Sequence, residues 1–156
     1  MVKVFVIYDS KYGNTKLVSE KILEGINDFG VSETSISYVK EIDVEKMVNC
    51  NVFVLGAPNH MGMPSRIMTK FVDELAELNL KTGDVAVFGT YAGKERLVDR
   101  AVKKLEKRVK AKLPKLKVIS PGLSVRVNGV TGPIAEGELP KCIAFGKKIA
   151  DQIRNK

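Results

Sequence analysis

The chain has 156 residues, 44% of them hydrophobic and 28% charged, with a formal net charge of +8. That length predicts a single domain over residues 1–156 with a sizeable core, and no stretch approaches the roughly 20 apolar residues of a membrane span. One histidine, His60, excludes a multi-histidine metal site, and the distant cysteines Cys50 and Cys142 offer neither a metal spacing nor a disulfide framework. They read as apolar packing residues of a reducing, cytoplasmic setting, and Met1-Val2-Lys3 shows no signal-peptide pattern.

Val2–Tyr8 is an almost unbroken apolar run, which predicts a strand buried on both faces. Ser10-Lys11-Tyr12-Gly13-Asn14-Thr15 follows, and a helical pattern starts at Thr15. A turn rich in hydroxyls and glycine at that junction presents N–H groups and the positive helix end to an anion. It reads as a phosphate cradle or as an ordinary strand-to-helix turn capped by Ser10 or Asn14. It is neither the nucleoside-triphosphate loop nor the three-glycine dinucleotide fingerprint.

The first helix runs to Asp28 with Val18, Ile22, Ile26 and Phe29 inward, and Gly30 stops it. Glu33–Val39 alternates like a half-exposed edge strand, and Ile42–Asn49 is a short helical segment. Val52–Gly56 is a second buried strand, followed by a loop over Ala57–Pro64. A helix over Ser65–Leu78 turns Ile67, Met68, Phe71, Val72 and Leu75 inward, and Val85–Thr90 is a third buried strand ending in Tyr91-Ala92-Gly93. The next helix buries Leu97, Val98, Ala101, Val102, Leu105 and Val109. Lys117–Ile119 and Leu123–Val127 form one strand interrupted by Pro121-Gly122, or two short ones. The last helix spans Leu139–Asn155 with Leu139, Ile143, Ala150 and Ile153 inward.

Charge is concentrated in one place. Residues 94–117 hold eleven of the 26 basic residues and three of the 18 acidic ones, so the rest of the chain is balanced. This segment reads as a solvated Lys-rich helix or as a docking surface for an acidic partner. It lacks aromatic residues to stack bases, which argues against nucleic acid.

Strands alternating with helices imply a parallel sheet with right-handed crossovers and helices on both faces. Ligands of such sheets sit outside the carboxyl ends of the strands, where strand order reverses. The loops at Asp9–Asn14, Ala57–Pro64 and Thr90–Lys94 leave the central strands there. Together they predict a composite site for a flat ligand carrying a phosphate.

With these residues in view, the chain resembles the flavodoxin family over its whole length. Ser10-Lys11-Tyr12-Gly13-Asn14-Thr15 is similar to that family's phosphate loop for flavin mononucleotide (FMN). Leu55–Pro64 resembles the loop over one flavin face, and Phe88–Gly93 the loop over the other, which also reads the pyrimidine edge. Ser120-Pro121-Gly122-Leu123 and the terminal Cys142…Phe145-Gly146 helix extend the match. The Tyr91 form of the third loop is similar to small archaeal stand-alone flavodoxins and to the flavodoxin domain of A-type flavoproteins. The resemblance implies an α/β, flavodoxin-like, doubly wound five-stranded parallel sheet of order 2-1-3-4-5 with helices on both faces. It also implies FMN as cofactor. The site residues implied are Ser10, Lys11, Tyr12, Gly13, Asn14 and Thr15 for phosphate; Pro58, Asn59, His60, Met61 and Gly62 on one side; and Thr90, Tyr91, Ala92 and Gly93 on the other. Lys16 adds favourable field at the phosphate, and no side chain need act as acid or base. Tyr91 packs on or beside the ring, or is a strand-end tyrosine; His60 is a ring contact or solvated. Met61-Gly62 matches the dipeptide whose carbonyl accepts a hydrogen bond from reduced flavin, which favours one-electron transfer. Well-known members are acidic, whereas Lys94 and Arg96 follow the third loop here, so a less negative potential for the second electron is expected.

The leading expectation is a stand-alone FMN electron carrier, monomeric or weakly dimeric, serving a redox protein partner. That partner is expected to be acidic, a ferredoxin or an oxidoreductase; neither nucleic acid nor membrane is expected. The alternative is an FMN-dependent NAD(P)H:quinone or small-molecule oxidoreductase, with Val127–Leu139 folding over the crevice. A phosphorylated receiver fits poorly, because Ala57-Pro58-Asn59 lacks the phosphate-accepting Asp. The intact first loop speaks against a degenerate domain without flavin.

Overall fold

The computed structural model describes residues 2–30, 33–93 and 98–154. Its centre is the parallel sheet that the apolar runs predict. β1 (Lys3–Tyr8), β3 (Val52–His60) and β5 (Asp84–Tyr91) lie between β2 (Glu33–Tyr38) and β6 (Lys117–Arg126) in the order β2-β1-β3-β5-β6. Counted without the two-residue β4 (Met63–Pro64), which pairs antiparallel with the end of β3, this is the expected five-stranded order.

The central strands read as continuous apolar runs because helices cover both faces. Val4, Val6, Val54, Ala86 and Phe88 pack toward α1 (Asn14–Asp28) and α4 (Leu139–Arg154). Ile7, Phe53, Leu55, Val85 and Val87 pack toward α2 (Arg66–Glu77) and α3 (Arg100–Lys112). α1 and α4 come close enough for backbones to touch. A Cβ added at Gly25 would lie 2.1 Å from the Ile143 carbonyl oxygen, and one at Gly146 would lie 2.0 Å from that of Ile22.

Several boundaries move, each for a local reason. α1 begins at Asn14, one residue early, because Gly13 takes the N-cap in left-handed backbone at φ 91°. The helical segment near residue 42 is two 3₁₀ turns, Val39–Glu41 and Val44–Asn49, the second capped by Asp43 accepting from the Glu45 N–H at 3.1 Å. β6 is one strand: Ile119 pairs with Ala86 and Leu123 with Phe88, so Ser120–Gly122 bulge out opposite Val87. α4 buries Cys142, Phe145, Ile149, Ala150 and Ile153, whereas Leu139 and Ile143 are half-buried, as is Phe29 at the end of α1. Lys94 and Arg96, on which part of the charge argument rests, and Leu97, expected in the buried stripe of the basic helix, lie outside the described residues.

The largest revision is Ala57–Pro64, expected as a loop. β3 continues through it, Ala57 and Pro58 pairing with Gly89 and Thr90, and the chain then folds back so that Asn59 faces Pro64 and His60 faces Met63. Met61 and Gly62 make the turn at φ 54° and 87°, the pairing of positive φ values that suits a two-residue hairpin.

Candidate functional site

The carboxyl ends of β1, β3 and β5 open into one slot of about 670 Å³ at the point where the chain's strand order reverses. Ser10, Lys11, Tyr12, Asn14 and Thr15 line it from the first loop, Pro58 to Met61 from the hairpin, and Thr90 to Gly93 from the end of β5. Of the residues named from sequence, Gly13 and Gly62 do not line it. Val127 and Val130 do, from the segment 127–139 that the alternative reading expects to fold over the crevice, although neither is named there as a site residue.

The first loop is built to leave donors free. The first intrahelical bond of α1 runs from the Leu17 N–H to the Gly13 carbonyl at 3.0 Å, so the Asn14, Thr15 and Lys16 amides precede it without helical partners. Gly13 donates its own N–H to Ser10 Oγ at 3.0 Å, which tightens the turn. The Thr15 hydroxyl is buried and shares a hydrogen bond of 3.0 Å with the Thr90 hydroxyl, joining the first loop to the end of β5. These donors, at the positive end of a 15-residue helix, suit a dianionic phosphate.

A wall that composition alone did not mark completes this end. Val127 bridges Ile134 in antiparallel fashion, Asn128 N–H reaches the Pro133 carbonyl at 2.9 Å, and Ala135 N–H reaches that of Arg126 at 2.9 Å. The tip of this fold leans on the first loop. Gly132 sits at φ 95°, backbone that favours glycine, and a Cβ there would lie 2.4 Å from Asn14 Oδ1, pushing that side chain aside.

On the opposite wall the hairpin turn is pinned from two sides. Asn59 Oδ1 accepts the Gly62 N–H at 2.6 Å. Arg100 covers Gly62, its Cδ 2.7 Å from where a Cβ would sit, so this glycine is buried toward α3 rather than facing the slot. Met61 in left-handed backbone is a strained choice for a side-chain-bearing residue, and it projects with 94% of its surface exposed. His60 is exposed and lines both the slot and the groove beside it.

Tyr91 ends β5, half-buried on the slot. Burial, reinforced by the Glu138 carboxylate, raises its hydroxyl above the usual tyrosine range, so it stays protonated. Glu138 is buried beside it, accepting the Arg126 N–H at 3.1 Å and pairing with Lys141 at 2.9 Å. The two thiols lie in the interior. Burial pushes Cys50 up to about 11 and Cys142 up to about 12, which leaves both protonated and inert. Among the described residues no group of three His, Cys, Asp or Glu is placed to hold a metal ion.

The slot therefore combines a donor set of helix-start amides and hydroxyls with largely apolar walls and two tyrosines, within the size range of small-molecule sites. That donor set fits a planar phosphorylated cofactor. A family model described as "Flavodoxin domain" matches residues 5–120. A flavodoxin of Aquifex aeolicus is 35% identical over 75 residues, 48% of this chain and 40% of that protein, so the match spans less than half of that relative. Among solved structures, a flavodoxin from the domain Archaea superposes with a TM-score of 0.81 at 23% identity, over 98% of this chain and 99% of that one. The flavodiiron protein of Giardia intestinalis gives 0.79 at 19% identity, over 98% of this chain and 36% of that one. At those identities the likeness is one of fold.

Proposed function

The chain belongs to the flavodoxin family, and from that premise we propose that it is an FMN-binding carrier that takes and delivers electrons one at a time between redox proteins. FMN, the cofactor of the family, supplies the redox chemistry when bound, and the chain supplies binding, orientation and field. The Asn14, Thr15 and Lys16 amides with the Ser10 and Thr15 hydroxyls hold the phosphate. Lys11 and Lys16 add positive potential there. Tyr91 lies against one side of the ring, and His60 with Met61 against the other. The Met61-Gly62 peptide would offer a carbonyl acceptor to the flavin. The protonated Tyr91 hydroxyl adds no charge to the slot.

The observation that carries this reading is that three loops distant in sequence converge on a single slot, with thirteen of the fifteen residues named from the sequence on its walls. Titration with FMN tests it. Flavin fluorescence quenches at one equivalent, and Thr15→Ala weakens binding about tenfold, the effect of one lost hydrogen bond of ordinary strength. A protein that ignores added FMN ends the proposal. Single-electron transfer is checked by potentiometric titration, which resolves two separated one-electron waves.

We assign the carrier an acidic partner protein and a cytoplasmic setting, the latter supported by its two unpaired, buried thiols. No helix among the described residues is long and apolar enough to cross a membrane. The segment 127–138 walling the slot is the one feature that favours an FMN-dependent NAD(P)H:quinone oxidoreductase instead. Steady-state turnover with NAD(P)H and a quinone separates the two readings, being absent for the carrier.

A further inference from the structure

We infer that the hairpin turn at Met61 is the hub of a cationic docking face that receives an acidic redox protein, an inference that rests on the electron-carrier reading above. Met61 is the most exposed of the large apolar residues described, yet its backbone is pinned, so its exposure is built in rather than a frayed end. It also lines the slot, so a partner seated on it lies against the slot's mouth.

Cations flank this hub on both sides. From one side α3 lays Arg100 over Gly62 and brings Lys104 Nζ to 2.7 Å from Met63 Sδ. On the other side is a groove of about 830 Å³ that shares His60 with the slot and is walled by Lys40, Arg66 and Lys70. All five cationic residues are exposed. Two carboxylates line the groove. Asp73 is held by the Arg108 guanidinium, its Oδ1 accepting from Nε at 3.0 Å, which leaves Asp9 as the groove's other carboxylate against Lys40, Arg66 and Lys70. The positive charge is thus placed by the fold around one apolar residue and is not a general property of the basic helix.

An apolar centre ringed by charge is the anatomy of a protein interface, and methionine adapts to varied partner surfaces. A nucleic-acid platform needs stacked aromatic rings, and His60 is the one ring among the residues named on this face, with no Phe, Tyr or Trp beside it. Five like charges also raise the encounter rate with an acidic protein and make it fall with salt.

The experiment uses the full chain loaded with FMN and, as probe, a reduced acidic ferredoxin, with flavin reduction followed by stopped flow across ionic strengths. Two charge reversals of equal size are compared. Arg66→Glu with Lys70→Glu removes the groove side of the face. Lys103→Glu with Lys110→Glu alters the opposite flank of α3, the flank whose Glu106 accepts from Ser120 at 2.9 Å. The first pair lowers the second-order rate constant at low salt about tenfold and flattens its salt dependence, while the second changes it less than about twofold. FMN affinity, measured separately by fluorescence, stays unchanged in both pairs. Equal losses in the two pairs would mean that net charge alone steers the encounter, and would overturn the docking face. An unmoved ferredoxin rate would do the same, including where the first pair abolishes binding to duplex DNA or to anionic vesicles. A chain that fails to take up FMN would instead sink the carrier reading, and this inference with it.

Discussion

On the α1/α4 side of the sheet, the helix backbones meet at Gly25 and Gly146, with no side chain between the helices at those points. On the α2/α3 side, Met68, Phe71, Leu75, Leu105 and Val109 fill the layer, and the two helices are tied at the surface by Asp73 and Arg108. The first side carries the phosphate loop at the start of α1; the second carries the hairpin and its surrounding cations. Backbone contact fixes a helix to a fraction of an ångström, as a cradle of amides requires. A layer of interdigitated side chains repacks more readily, and suits the face that meets other molecules.

The contrast breaks first at Gly146. Gly146→Ala places a methyl group into the Ile22 carbonyl, and the expected loss is about 3 kcal/mol or more, the upper end of overpacking. Met68→Leu in the other layer, a swap of similar volume, costs less than about 1.5 kcal/mol. Urea midpoints for the two variants decide it: similar losses would erase the difference between the faces.

Next in size is Gly132→Ala, expected to cost about 2 kcal/mol for a non-glycine residue at φ 95° and to weaken FMN binding through Asn14. Adding Asn14→Ala relieves the collision but not the backbone strain, so stability returns in part while affinity does not. Calorimetric melting with and without FMN reads both.

Smallest is Asp73→Asn. Both partners of the Asp73–Arg108 pair are more than a third exposed, so water and salt screen it. The guanidinium holds the Asp73 carboxyl below its ordinary value of 3.8. The pair therefore contributes fully above that ordinary value, and its contribution is lost as pH falls through the lowered one. Denaturation curves of the two proteins should differ slightly at neutral pH and low salt, and coincide in strong acid or molar salt.

The sheet and most of the slot could be read from residue pattern because buried parallel strands leave unbroken apolar runs, and three loops of unusual composition leave the carboxyl ends of the central strands together. The hairpin was hidden for a physical reason. Pro58 and Pro64 look like loop residues, but Pro58 sits near the strand end and Pro64 is in a two-residue strand, where a missing N–H is tolerated. The segment 127–139 could be expected over the crevice, but Val127 and Val130 could not be singled out within it because no periodicity marks them; only the turn residues Asn128-Gly129 and Gly132-Pro133 hint that the chain doubles back there. Of the cationic collar only the α3 part, Arg100 and Lys104, lay in the basic segment that reads as a docking surface; Lys40, Arg66 and Lys70 come from other elements and join it only in space.

The lean of Gly132 on Asn14 has a consequence for biosynthesis. As the polypeptide leaves the ribosome, the first loop at Asn14 emerges more than a hundred positions ahead of Gly132, which leans on it. Ile22 and Ile26, which α4 will cover, stay uncovered over the same interval. The slot is therefore complete only once residue 132 and α4 have been made.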